Sequence, residues 1–370
     1  MFFSYDPSRA GGVQEHIIFL SKFLKKSGHH IDIYGPKNSI YPFENYYSIA
    51  NPVQIPMIQG NFVNITISNG DKNKIIKEIN QKKYDIFHFH DPHIPFFGFD
   101  LVREIKAKKI ATFHLGWDDD SIVNIVSPLI SLYKDEFSKY FSGAIFVSNL
   151  VRKRWINICS NIVINKVIYN GIDNSLYKFK PKKIKQKNIL FVGRLVPRKG
   201  PKYLLRSFKK LITGLPDARL TILGRGDMEK SLFKYVKSQK LTDKVHFLGE
   251  IIGKNKIEYY QEATVFVAPY TDEAFGITIL EAMACGIPIV GFRNQAFLEI
   301  LKDYPGMKYL VKNKNSDQLT SALINILKNK NIREKISTWS LKKVKEFSWS
   351  KVARETERMY YEVLGINPKY

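Results

Sequence analysis

The chain has 370 residues, 44% hydrophobic and 13% aromatic, which is enough apolar surface for two cored domains and too much for a disordered chain. Its net charge of +24 points to something anionic: nucleic acid, an acidic membrane surface or a phosphorylated ligand. Two cysteines, Cys159 and Cys285, are too few for a disulfide framework or the usual zinc sites, and no apolar run reaches the roughly 18 residues of a membrane span.

Short apolar runs alternate with helical patterns along the whole chain, as expected for parallel α/β architecture. The predicted strands of the first half are 2–5, 30–35, 84–89, 109–113, 143–147 and 166–169. Val13–Ser27 is a predicted helix, because Val13, Ile17, Leu20 and Leu24 share one face. Ala144-Ile145-Phe146-Val147 is apolar without alternation, as in a strand buried on both faces. The basic, proline-containing segment KFKPKKIKQK, residues 178–187, reads as an interdomain linker. The alternation then restarts, with strands expected at 188–193, 218–224, 245–249, 264–269, 288–291 and 307–311 and a helix at 200–211. A final helix spans about 350–363. The expected organisation is therefore an N-terminal Rossmann-like domain over 1–177, the linker, a second Rossmann-like domain over 188–349, and a C-terminal stretch 350–370 packing back toward the first. In doubly wound sheets, ligands sit at the carboxyl ends of the strands, and two such sheets facing each other would make a cleft.

Three segments carry candidate chemistry. The first, Glu273-Ala-Phe-Gly-Ile-Thr-Ile-Leu-Glu281, follows a strand and opens a helix. Gly276, Ile277 and Thr278 would present backbone amides at that helix N-terminus, an anion site, with Glu273 and Glu281 able to reach one ligand. On spacing alone, a solvated loop acid and a helix-surface acid explain the two glutamates equally well. The second, Phe191-Val-Gly-Arg194-Leu-Val-Pro-Arg198-Lys199-Gly200, places Arg194 and Lys199 at a strand end, where they could neutralise a diphosphate. The third is the glycine turn Arg9-Ala-Gly11-Gly12-Val-Gln14-Glu15-His16, whose amides near Gly12 could meet a phosphate.

Together with AIFVSN, VIYNGID, LTILGRGD and VHFLGEI, in this order, these motifs resemble the retaining glycosyltransferases of family four, which have the GT-B fold. The resemblance runs from about Tyr5 to the FSWSKVARETERMYYEVL ending. SRAGGVQEH, FHFHDPH and ATFH are most similar to bacterial phosphatidylinositol mannosyltransferases and their relatives. It implies a hexose moved from a nucleoside-diphosphate sugar, GDP-mannose or a UDP-hexose, to a lipid-linked or polysaccharide acceptor. By resemblance, Arg194 and Lys199 hold the diphosphate and Gly12 closes over it. Gly276, Ile277 and Thr278 offer amides, Phe275 lies in the same motif, Glu281 bonds the ribose and Glu273 orients the sugar. Ile251, in the loop 249–252, meets the base, and His114 approaches the sugar.

On the acceptor side, Tyr5 and Gln14 match headgroup-contacting positions of the phosphatidylinositol enzymes. The chain has Gln59-Gly60-Asn61 where those enzymes place an arginine for the acceptor phosphate, so the acceptor stays open. The family needs no metal or other cofactor. Asp118-Asp119-Asp120 reads as a capping or solvated turn, and His88-Phe-His90-Asp91-Pro-His93 as a strand-end loop that departs from metallo-hydrolase spacing. The polar N-terminus and the cysteine content predict a cytoplasmic protein without a signal peptide, at most peripheral on the inner face of an anionic membrane. Two readings of other classes remain: a basic nucleic-acid-binding protein, disfavoured because aromatic and basic residues do not interleave in any recognisable binding motif, and a GT-B scaffold without catalysis.

Overall fold

The computed structural model describes residues 1–3, 11–37, 43–56, 62–92, 97–116, 138–157, 159, 161–179, 187–251 and 253–367. Contacts divide the chain into two compact units, 1–170 with 349–370, and 171–348. Of the expected linker, residues 180–186 lie outside the described residues.

The first unit carries strands β1 (Phe2–Phe3), β2 (Ile33–Pro36), β3 (Tyr46–Pro56), β4 (Phe62–Ser68), β5 (Ile86–His90), β6 (Lys108–Phe113), β7 (Gly143–Phe146) and β8 (Ile164–Val167). Described helices between them are α1 (Gly12–Lys26), α2 (Lys72–Gln81), α3 (Phe97–Glu104) and α4 (Asn149–Trp155). The sheet order is β4-β3-β2-β1-β5-β6-β7-β8. All pairings are parallel except β3 with β4. The strand order reverses between β1 and β5, which makes the carboxyl ends of these two strands the switch point where α/β sheets bind ligands. The fully buried runs of β1 and β7 explain their unbroken apolar sequence.

The β3–β4 pair has no counterpart among the predicted strands. Pro52 and Pro56 break the pattern of β3, and proline cannot donate to a ladder. The register shows why the chain tolerates them: β2 pairs with β3 only as far as Ala50, so among the described residues β3 has a partner on one side alone from Asn51 onward.

The second unit carries β9 (Lys187–Val192), β10 (Ala218–Leu223), β11 (Val245–Phe247), β12 (Val265–Ala268), β13 (Ile289–Phe292) and β14 (Leu310–Val311). Its helices are α5 (Pro201–Gly214), α6 (Glu229–Ser238), α7 (Lys254–Glu262), α8 (Ile277–Ala284), α9 (Gln295–Ile300), α10 (Ser316–Lys328) and α11 (Lys330–Lys343). The sheet is parallel throughout, in the order β11-β10-β9-β12-β13-β14. This is the 3-2-1-4-5-6 order of a dinucleotide-binding sheet, with its switch point between β9 and β12.

The last helix, α12 (Trp349–Leu364), belongs to the first unit. Trp349, Val352, Ala353, Met359, Tyr360 and Val363 join the core that contains Phe3, Ile17, Leu20, Ile110 and Ile145. Gly143 on β7 makes room for it, since a Cβ there would lie 2.7 Å from the Met359 terminal methyl. His29 fastens its exposed side, with Nε2 2.7 Å from Glu357 Oε1.

Candidate functional site

At the switch point of the second unit, the chain leaving β9 runs through Gly193 and Arg194 into a 3-10 turn, Pro197–Lys199. The chain leaving β12 runs through Tyr270 and Glu273 to Gly276, where α8 begins. The Lys199 ammonium and the Glu273 carboxylate form an ion pair, with side chains only 12% and 13% exposed. The Lys199 Nζ also lies 4.0 Å from the centroid of the Tyr270 ring. The Tyr270 hydroxyl donates to Val192 O at 2.5 Å and lies 3.2 Å from Thr278 Oγ1, so the ring that floors the lysine is fixed to both β9 and α8.

Gly200 permits this meeting. Its φ is +65°, and a Cβ would overlap the carbonyl oxygen of Pro269, so only glycine lets the two loops approach this closely. The loops are also tied by Thr271 N donating to Arg198 O at 2.8 Å. Gly276 has φ +104° and fills the N-cap of α8, against the Phe297 ring. The amides of Gly276, Ile277 and Thr278 thus open a helix three to five residues beyond Glu273.

Burial pushes the Lys199 ammonium down to about 8; Glu273 opposes this, while Arg198 and Arg194 add to it. Burial alone would raise the Glu273 carboxyl, but Lys199 and Arg198 outweigh it and hold the group below the usual carboxylate range. At neutral pH the site is therefore an ion pair with two further cations, Arg198 and Arg194, near it.

Glu281, the expected ribose-facing acid, lies on α8. It is 1% exposed, and its Oε1 accepts from Tyr177 at 2.7 Å and from Lys256 at 2.5 Å, while Oε2 accepts from Tyr260 at 2.6 Å. The sequence motif marked Glu281, but nothing in it marked these three donors, which come from segments 21, 25 and 104 residues away. Phe275 is 2% exposed, with its ring against Phe347. Arg194 is exposed and Ile251 half-buried.

At the carboxyl ends of β5 and β6 in the first unit, His16, His90 and His114 cluster. The His114 backbone N–H donates to Asp91 Oδ1 at 2.7 Å, and its Nε2 lies 3.0 Å from His90 Nδ1. The His16 ring stands edge-on to His114 with centroids 4.7 Å apart, and its Nδ1 is 2.7 Å from Asn170 Oδ1. Burial pushes His16 down to about 4 and holds His88 and His90 well below the ordinary histidine range, so all three rings are neutral at pH 7. Gly12 opens α1, exposed, and Gln14 is buried two residues before His16 on the same helix. Gly12 and His16 mark one end of α1 in sequence; the pairing of His90 with His114 carries no sequence signal beyond their strand-end positions.

The three histidines are the one grouping among the described residues whose ligating atoms lie within 4.8 Å of one another. His90 Nδ1 and His114 Nε2 are joined to each other, and His16 Nδ1 is held by Asn170, so one ring nitrogen of each histidine is already engaged. Tyr5, Arg9, Asn61, His93 and the Asp118–Asp120 run lie outside the described residues.

The sequence matches the family described as Glycosyl transferases group 1 over residues 173–342 and Glycosyltransferase Family 4 over residues 10–176. It is 28% identical to a phosphatidyl-myo-inositol mannosyltransferase of Mycolicibacterium smegmatis, across 97% of this chain and 92% of that protein. It is 29% identical to an uncharacterized glycosyltransferase of Methanocaldococcus jannaschii, across 96% of this chain and 95% of that protein. Among solved structures, Anabaena HepE in complex with UDP-glucose aligns with a TM-score of 0.78 at 16% identity, covering 98% of both chains. Sucrose-phosphate synthase from Thermosynechococcus elongatus aligns with a TM-score of 0.76 at 18% identity, covering 98% of both chains.

Proposed function

The chain belongs to the group 1 and family 4 glycosyltransferases, enzymes of the GT-B fold, and from that premise we propose that it transfers a hexose, with retention, from a nucleoside-diphosphate sugar to a lipid-linked or polysaccharide acceptor. The observation that carries this reading is the largely buried Lys199–Glu273 pair at the switch point, on the loops that lead into the start of α8. The bond from the anomeric carbon to the diphosphate breaks, the acceptor oxygen bonds that carbon on the same face, and the acceptor's proton passes to an oxygen of the leaving diphosphate. Negative charge grows on the diphosphate. Lys199, Arg194 and the opening amides of α8 stabilise it, and such preorganised groups are worth about 10²–10³ in rate each. Glu273 holds the sugar, and Gly12 and His114 serve the diphosphate and the sugar, as the family resemblance implies.

The donor is GDP-mannose or a UDP-hexose. HepE is known with UDP-glucose and the mycobacterial relative is a mannosyltransferase, which supports a nucleotide-sugar without choosing its base. No helix among the described residues is long and apolar enough to cross a membrane. The net charge of +24 supports work in the cytoplasm at an anionic membrane surface, where lipid-linked acceptors are held.

The experiment is a thermal-unfolding screen of GDP, UDP and their sugars, followed by NMR of the product anomer with EDTA present throughout. A true donor at about 100 times its dissociation constant adds about 2.7 kcal/mol. The expected product keeps the donor's anomeric configuration, at an unchanged rate in EDTA. An inverted product, or stabilisation by no nucleotide, overturns the proposal.

A further inference from the structure

Among the described residues, His90 has one buried polar atom without a hydrogen-bond partner, its Nε2. Its other ring nitrogen, Nδ1, is 3.0 Å from His114 Nε2. His90 is neutral, and two imidazoles joined nitrogen to nitrogen share one proton, whose location fixes both rings. If His114 donated from Nε2, His90 would accept at Nδ1 and carry its own proton on the orphaned Nε2. That arrangement buries an N–H with no acceptor, the rarer and less tolerated kind of orphan. If His90 donates from Nδ1, the orphan is a bare ring nitrogen, and His114 accepts at Nε2 and carries its proton on Nδ1.

We infer that His90 is a positioning residue that locks His114 in the Nδ1–H form, so that His114 serves the reaction as a neutral hydrogen-bond donor and not as a base.

The surroundings hold this arrangement. The His88 ring stacks on His90 with centroids 4.4 Å apart and is itself pinned, Nδ1 to the Tyr360 hydroxyl at 2.7 Å and Nε2 to Thr112 Oγ1 at 2.6 Å. His16 donates from Nδ1 to the Asn170 amide oxygen, since an amide oxygen only accepts. The titratable groups that face His90 are His16 from α1, His88 from β5, His114 after β6 and the Met1 amine at the start of β1, and each acts against a charge on His90. Asp91 is occupied in accepting the His114 backbone N–H. The consequence for catalysis rests on the proposed function. A His114 that cannot take a proton at Nε2 leaves the acceptor's proton to the diphosphate, and its Nδ1–H is suited to a sugar hydroxyl.

The test does not depend on turnover. The full chain, labelled with ¹⁵N-histidine, is read by two-bond ¹H–¹⁵N correlation at neutral pH, with signals assigned from His114→Gln and His16→Gln spectra. The expected pattern for His114 is a protonated Nδ1 and a bare Nε2. A protonated Nε2, or an imidazolium, overturns the inference. His90→Phe removes the lock. The His114 signals should then shift toward the Nε2–H form, and kcat should fall by up to about 100-fold with little change in donor KM. Unchanged His114 signals in that variant also overturn it. If His90→Phe does not fold, the spectrum of the unsubstituted chain still decides. Nucleotide-dependent stabilisation with the wrong tautomer sinks this inference alone, whereas the right tautomer without nucleotide binding sinks the proposed function alone.

Discussion

Replacing Lys199 by methionine separates what the Lys199–Glu273 pair does for folding from what it does for transfer. The methionine keeps apolar bulk over the Tyr270 ring and removes the cation. Glu273, 13% exposed, then loses the charge that chiefly offsets its burial. Stranding one member of a fully buried pair costs about 3–5 kcal/mol. The lower end applies here, because both side chains keep some exposure and Arg198 remains near. Loss of a preorganised cation facing the leaving diphosphate lowers kcat/KM by a further factor of about 10²–10³. A double variant, Lys199→Met with Glu273→Gln, makes the pair neutral. It should recover most of the stability and none of the activity, a non-additivity that a double-mutant cycle reads directly. The assay is the urea midpoint of each variant beside its kcat/KM for the donor. Unaltered kcat/KM in Lys199→Met, or turnover regained in the double variant, would refute the reasoning.

Lys199 titrates near 8 and Glu273 below the usual carboxylate range. Since the protonated lysine is the form that meets a diphosphate, donor kcat/KM should be level through neutral pH and fall about tenfold per unit above about pH 8; a rate that rises through pH 8 would contradict the role given to Lys199. Gly200→Ala forces a side chain into a left-handed backbone against Pro269 O, so the loops after β9 and β12 must part and donor affinity should drop at least about tenfold, or ~1.4 kcal/mol, by calorimetry; wild-type affinity would show that their close approach is not needed. Flotation with liposomes at low salt should recover more protein on anionic than on neutral vesicles, and equal recovery would remove the membrane from the account.

The strands that bear the site are legible in the sequence because burial on both faces leaves unbroken apolar runs, as in ILFV of β9 and VFVA of β12. The loops at their ends are legible because the backbone leaves little choice. Gly200 and Gly276 sit at positive φ beside charged residues, and that combination survives in the sequence as GRLVPRKG and EAFGITILE. The β3–β4 pair escapes because its prolines argue against a strand and only the one-sided register makes them tolerable. Glu281 is visible as a motif residue, yet its donors Tyr177, Lys256 and Tyr260 are a matter of tertiary packing. The histidine cluster escapes for the same reason: His90 and His114 are joined across neighbouring strands, 24 residues apart, and a proton's position on a ring leaves no trace in residue type.

The most direct measurement is a structure with a nucleoside diphosphate or its sugar bound. The account expects a phosphate oxygen within about 2.7–3.2 Å of Lys199 Nζ, with its neighbours on the opening amides of α8. A ligand seated elsewhere, with the Lys199–Glu273 pair closed and untouched, would contradict it.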